Sequence, residues 1–262
     1  MSGTWPRRVT VDLDAGHVTI EDASRGTRTV PMASADAFAA VSAAYLRCGW
    51  DAKYVYSFSW LGRPIIQLPD DAFRMQELLY AVQPDVIVET GVAHGGSLIF
   101  YASLCKLIGK GRVIGVEVEL RAHNRAAIDA HPLRPMISLV DGSSVDAATV
   151  AKVRAAIKPG EKVMVLLDSK HTREHVAAEL EAYAPLVSVG SYLVAMDGIM
   201  QHLVGAPRSQ PGWAADNPAQ AARDFAARRK DFQLVEPVPP FNEGAVKTRV
   251  SYCPDAFLKR VA

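Results

Sequence analysis

Between residues 85 and 198 the chain repeats one unit, a short apolar run that stops at an acid and is followed by a helical pattern. The runs DVIVE, RVIGVEVE, MISLVDG, KVMVLLD and SYLVAMDG bring Glu89, Glu117, Asp141, Asp168 and Asp197 to successive strand ends. GSLIFYASLCKLIGK, LRAHNRAAIDAH, VDAATVAKVRAAIK and REHVAAELEAYAPL separate them as helices. Strands apolar on both faces, alternating with helices, are what a parallel sheet covered on both sides requires. The predicted fold is α/β, a doubly wound sheet. Ligands bind such sheets outside the carboxyl ends of the strands, near the point where strand order reverses. Five terminal acids in register would line one crevice, unless some cap helices.

The flanks add to this frame. DAFRMQELLYAVQ predicts a helix, with Asp70 or Asp71 placed to cap it and Pro84 ending it. After the last unit, Leu203 to Pro218 is rich in Gly and Pro and reads as a loop, either a surface connection or a lid carrying Trp213. The helix AQAARDFAARRKD follows, then two strands, FQLVEP and KTRVSYC, joined by a loop containing FNEG, with one of them antiparallel at the edge. Asn242 and Glu243 in that loop serve either the turn or a substrate. Ahead of the main domain, VTVDLDAGHVTIED is a hairpin signal around Asp14-Ala15-Gly16. WDAKYVYSFSW sets Trp50, Tyr54, Tyr56, Phe58 and Trp60 on even positions, so an extended segment turns all five rings to one face. That face either covers the core or an interface, or stands beside a ring-shaped acceptor. The expected division is 1–70, hairpin and aromatic segment, and 71–262, the main domain.

Lys and Arg total 29 against 28 Asp and Glu, a net charge of +1, so nothing in bulk draws the chain to nucleic acid or an anionic membrane. Small-molecule partners are expected. Cys48, Cys105 and Cys253 are too few and scattered for a disulfide framework. No leader pattern and no run of about 18 apolar residues is present, and the expected location is cytoplasmic.

VIVETGVAHGGSLIF then narrows the ligand. Gly91, Gly95 and Gly96 let backbone approach a ligand and open the next helix, whose first amides attract a carboxylate or phosphate. The spacing is not the G-x-G-x-x-G of dinucleotide sites, and no G-K-S/T follows. Glu117, at the end of the second strand, is placed for ribose hydroxyls. Glu89 beside the turn would repel a pyrophosphate but suits a cofactor carrying an ammonium and a sulfonium. The pattern therefore fits S-adenosylmethionine (SAM). Its methionyl carboxylate would lie near Gly95 and Ser97, with Asp141, Gly142 and Ser143 at the adenine and Asp168 touching the donor from the fourth strand. Asp141 is equally suited to organising its turn, and His94 could reach cofactor or acceptor.

VIVETGVAHGGS, VIGVEVE, DGSS, VLLDSKHT, YLVAMDG, FNEGAVKTRVSY and FLKR together resemble the family known as cephalosporin hydroxylases, which are SAM-dependent methyltransferases and include rhamnosyl O-methyltransferases. The resemblance spans roughly residues 60 to 260. It implies a Rossmann-like sheet of seven strands, the last antiparallel, and association into homo-oligomers. It also implies Mg²⁺ held by acids at the fourth and fifth strand ends, here Asp168 and Asp197, with His171 as base. The family often shows two adjacent acids at the fifth strand, and Met196 stands where the first would be.

The chemistry explains the residue types. Methyl transfer needs an acceptor oxygen aligned with the methyl carbon, and a neutral alcohol improves when an imidazole takes its proton or a hard cation lowers its pKa. The expected function is O-methylation of a hydroxyl on a sugar, glycoside or related natural product, with Mg²⁺ assistance. Rival readings are an N-methyltransferase, which needs neither base nor metal, and a non-catalytic subunit. A third is a non-haem iron hydroxylase, which would need His171 and His175 together with a carboxylate. His171 could also merely cap the helix starting near Thr172.

Overall fold

The computed structural model describes residues 5–244 and 246–262. Residues 1–4, part of the N-terminal stretch read above for a leader, and Ala245, in the loop after FNEG, lie outside the described residues. Strands β1 (Arg8–Asp12), β2 (His17–Asp22) and β3 (Gly26–Pro31) form an antiparallel sheet in the order β1-β2-β3. The hairpin expected from Asp14-Ala15-Gly16 is its first turn, where Ala15 N–H donates to Asp12 Oδ1 at 2.8 Å. The third strand and the 17-residue helix α1 (Ala35–Asp51) had no counterpart in the sequence reading. Val18 and Ile20 pack there against Ala37 and Ala40.

The aromatic segment is not extended. Trp50 belongs to α1, Tyr54 and Tyr56 to a 3₁₀ turn (Tyr54–Ser57), and Phe58 and Trp60 to β4 (Phe58–Trp60), which pairs with β5 (Arg63–Ile65). A helical end followed by a tight turn breaks the two-residue period, so the rings scatter. Trp50 meets Trp213, Tyr54 meets Phe58, and Trp60 meets Phe100.

The main sheet has the predicted composition. Helix α2 (Pro69–Val82) leads into β6 (Val86–Thr90), α3 (Gly96–Ile108), β7 (Arg112–Glu117), α4 (Ala122–Asp129), β8 (Ile137–Asp141) and α5 (Ala147–Ala155). Then come β9 (Val163–Leu167), α6 (Arg173–Tyr183), β10 (Tyr192–Ala195), α7 (Pro218–Arg228), β11 (Phe232–Leu234) and β12 (Phe257–Arg260). The seven strands lie in the order β11-β12-β10-β9-β6-β7-β8. Only β12 runs antiparallel to its neighbours in this sheet, and the chain reverses direction of travel between β6 and β9. Alternation explains the two-sided core. Val86 and Val88 of β6 and Val163, Val165 and Leu167 of β9 face α5, α6 and α7, whereas Ile87, Met164 and Leu166 face α2 and α3.

Two expectations fail here. The antiparallel strand is FLKR, not KTRVSYC, and it lies inside the sheet with β11 at the edge. Residues 246–253 are irregular because their polar groups have other partners. Ser251 Oγ donates to Asp71 Oδ1 at 2.6 Å and Tyr252 N–H to Oδ2 at 2.8 Å. Neither Asp70 nor Asp71 caps α2. Leu68 holds the N-cap position with Pro69 behind it, and the Asp71 carboxylate is consumed by the later segment.

Candidate active site

The β6–α3 turn brings backbone against backbone at two glycines. Gly91 sits at φ +86°, and a Cβ there would lie 2.1 Å from the Asp168 carbonyl oxygen. A Cβ on Gly96 would lie 2.1 Å from the Pro64 oxygen, so β5 presses against the start of α3. Gly95 shapes the turn, and His94, Ser97 and Gly91 line the cavity of about 220 Å³ beneath it. Glu117 closes the loop from β7, accepting from the N–H groups of Val92 at 2.9 Å and Ala93 at 3.1 Å, and of Val118 at 2.9 Å.

Glu89 lies below, 1% exposed. Its one bond is from Ser97 Oγ at 2.9 Å, and burial pushes its carboxyl up to about 8 despite that bond. Asp141 stands opposite Glu117 in the β7–β8 register. It is exposed and pairs with Arg125. Gly142, where a Cβ would meet Thr149 Oγ1, and Ser143 follow it in a turn beyond the walls of the Gly91 cavity.

A second cavity of about 340 Å³ adjoins the first, walled by Trp50, Tyr56, Asp71, Met196, Trp213 and Tyr252. Tyr56, Gln67, Asp168, His171 and Asp197 belong to both walls. His171 Nε2 lies 3.6 Å from Asp197 Oδ2 and 4.0 Å from Asp168 Oδ1. These three are, among the described residues, the one group of three His, Cys, Asp or Glu side chains converging as metal donors do. Burial first, then the nearby carboxylates of Asp197, Glu89 and Glu179, hold the Asp168 carboxyl well above the usual range. Asp197 adopts φ +60°, a conformation unusual for a non-glycine residue and found where a site fixes the chain. Met196, just past the end of β10, is buried in the core cluster that also contains α2 and α3 residues, its sulfur 3.8 Å from Cys253 Sγ.

Several sequence candidates are not brought here. His175 turns away from Asp168. Its Nε2 is 3.2 Å from both Ser144 Oγ and Ser169 Oγ and 3.6 Å from Glu179 Oε1, so the two-histidine face required by iron hydroxylation does not form. Thr172, not His171, caps α6. Asn242 closes its own loop on Val246 and is absent from both cavity walls, as is Glu243. The loop with Trp213 rests on the end of α1, where Trp50 Nε1 donates to the Pro207 oxygen at 2.8 Å. Gln67, Asp71 and Tyr252 escaped the sequence reading. Asp71 was hidden by its resemblance to a helix cap, and no local pattern marks the other two.

Strand order and the single antiparallel strand define a Rossmann-like sheet of the kind found in SAM-dependent methyltransferases. Solved structures agree. Ligand-free CmcI superposes with a TM-score of 0.53 at 21% identity over 79% of this chain and 77% of that one. CmcI with Mg and SAM gives 0.52 at 19% over 79% and 78%. Residues 52–261 match the family described as rhamnosyl O-methyltransferase/CmcI. The chain belongs to that family. A rhamnosyl O-methyltransferase of Mycobacterium tuberculosis is 34% identical over 131 residues, 48% of this chain and 51% of that protein. One of Mycobacterium leprae is 29% identical over 142 residues, 53% and 59%. The chain spans little more than half the length of these curated relatives. Among the described residues no helix is long and apolar enough to cross a membrane.

Proposed function

We propose that the chain is a SAM-dependent O-methyltransferase acting on a hydroxyl of an uncharged sugar or glycoside. The observation carrying this reading is the position of Asp168, His171 and Asp197 at the join between a glycine-turn cavity and an aromatic-walled one. SAM supplies an electrophilic methyl group. In this reading Glu89 offers its carboxylate to the cationic end, Glu117 the ribose, Gly95 and Ser97 the methionyl carboxylate, His94 the rim, and the Asp141-Gly142-Ser143 turn the adenine. His171 Nε2 takes the hydroxyl proton, and the imidazolium is stabilised by the two carboxylates beside it. Trp50, Tyr56 and Trp213 supply flat apolar faces for a sugar ring. Among the described residues neither cavity wall carries a Lys or Arg, which favours a neutral glycoside over a nucleotide sugar with its diphosphate.

Two facing carboxylates without a cationic partner on the walls fit a divalent cation, and their hard oxygens suit Mg²⁺. Asp168 and Asp197 would hold it, and a bound ion would lower the pKa of an acceptor hydroxyl. Met196 adds no oxygen donor, so waters and the substrate would complete the shell. Residues 1–70 are proposed to cover the acceptor side, in a cytoplasmic homo-oligomer that would also cover exposed Phe73, Tyr80 and Leu107. The test is mass spectrometry of neutral glycosides and nucleotide sugars incubated with SAM, with and without EDTA. A mass gain of one methylene on a glycoside, lost in Asp168→Asn, is expected. Methylation confined to amines would sink the proposal.

A further inference from the structure

Gln67 bridges β5 and α2 and belongs to the walls of both cavities. Its Nε2 and Oε1 are shielded from solvent, and neither has a hydrogen-bond partner among the described residues. The Tyr101 hydroxyl lies beside the amide without completing a bond to either atom. A primary amide buried with both ends unmet is costly, and such groups persist where a partner arrives from outside the chain.

The neighbourhood says which partner. Two residues before Gln67, the β5 backbone presses against Gly96, so the amide stands near the start of α3, where free helical N–H groups favour a carboxylate. Ser97 Oγ is already engaged with Glu89, and no Lys or Arg among the described residues lines the cavity. A carboxylate there needs a neutral donor, and an ammonium attached one carbon away needs an acceptor. A carboxamide presents one of each, about 2 Å apart.

Resting on the SAM reading above, we propose that Gln67 grips the amino-acid end of the methyl donor. Oε1 accepts from the α-ammonium and Nε2 donates to the α-carboxylate. Gln67 is thereby a determinant for a complete amino-acid-bearing donor, and it links donor occupancy to the acceptor cavity whose wall it shares.

The test is calorimetry on the full chain with S-adenosylhomocysteine and with methylthioadenosine, which keeps the nucleoside and thioether but lacks the amino acid. Losing hydrogen bonds to charged groups predicts that Gln67→Met weakens S-adenosylhomocysteine roughly 10- to 100-fold and leaves methylthioadenosine unchanged. Gln67→Ala, which removes donor and acceptor together without adding a charge, should show the same selective loss, and serves if the Met variant is unstable. Unchanged S-adenosylhomocysteine affinity, or equal weakening of both ligands, overturns the assignment while leaving the donor reading intact. A wild-type chain that binds neither ligand overturns the donor reading and this assignment with it.

Discussion

Replacing Glu89 with Gln separates the cost of a buried charge from the rest of the fold. Glu89 is 1% exposed and has one hydroxyl partner, and burial raises its carboxyl from 4.5 to about 8. Because the folded value lies above the unfolded one, the stability Glu89 contributes is fully present below about pH 4.5. It is lost as pH rises toward 8, while the unfolded chain ionises and the folded one does not. At 1.36 kcal/mol per pKa unit the whole window amounts to ~5 kcal/mol as a ceiling, and about 2 kcal/mol if the site relaxes around the charge. Gln cannot ionise, so the variant lacks this slope. Asp71, raised to about 7, titrates in both proteins, whereas losing the Glu89 charge also brings the Asp168 carboxyl down, which acts in the same direction as the predicted gain. Urea unfolding at pH 5 and pH 8 should show the Gln variant gaining at least ~2 kcal/mol over wild type between the two. Parallel changes in both proteins would refute the buried-charge argument. The same ionisation should appear on ligand binding: SAM, placing a cation nearby, should release more protons from wild type near pH 7 than from the variant, which keeps only the Asp168 contribution.

Other outcomes follow from the same geometry. His171→Asn should lower kcat by roughly 10²- to 10⁴-fold with S-adenosylhomocysteine affinity nearly kept, and steady-state kinetics beside calorimetry reads both. Gly91→Ala must part β6 from the Asp168 carbonyl and hold Ala at positive φ, so scanning calorimetry should show a loss of ~3 kcal/mol or more. Trp213→Ala should raise acceptor KM about tenfold and leave donor affinity unchanged, since the ring lines only the aromatic cavity.

The sheet was legible because its strands are apolar on both faces and its acids recur at their ends, a signal fixed by local periodicity. The glycine turn was legible because the 2.1 Å approach to Asp168 admits no side chain. What sequence could not show depends on distant partners. KTRVSYC has a strand's composition, yet Asp71, 180 residues earlier than Ser251, takes the groups a ladder would have used. The even spacing of the aromatic rings suggested one face, and the end of α1 with its following turn dispersed them. Asp168 and Asp197 were legible as strand ends, and His171 was carried over from the family resemblance; the structure sets its Nε2 3.6 Å from Asp197 Oδ2 and 4.0 Å from Asp168 Oδ1. His175 was separated from them only by the direction of its side chain toward Ser144 and Ser169.

The most direct measurement is electron density from crystals grown with S-adenosylhomocysteine and a divalent cation. The account predicts the nucleoside against Glu117, the amino-acid end between Gln67 and Ser97, the sulfur facing His171, and the ion between Asp168 and Asp197. A ligand bound away from the β6–α3 turn, or side chains filling that cavity in the crystal, would contradict it.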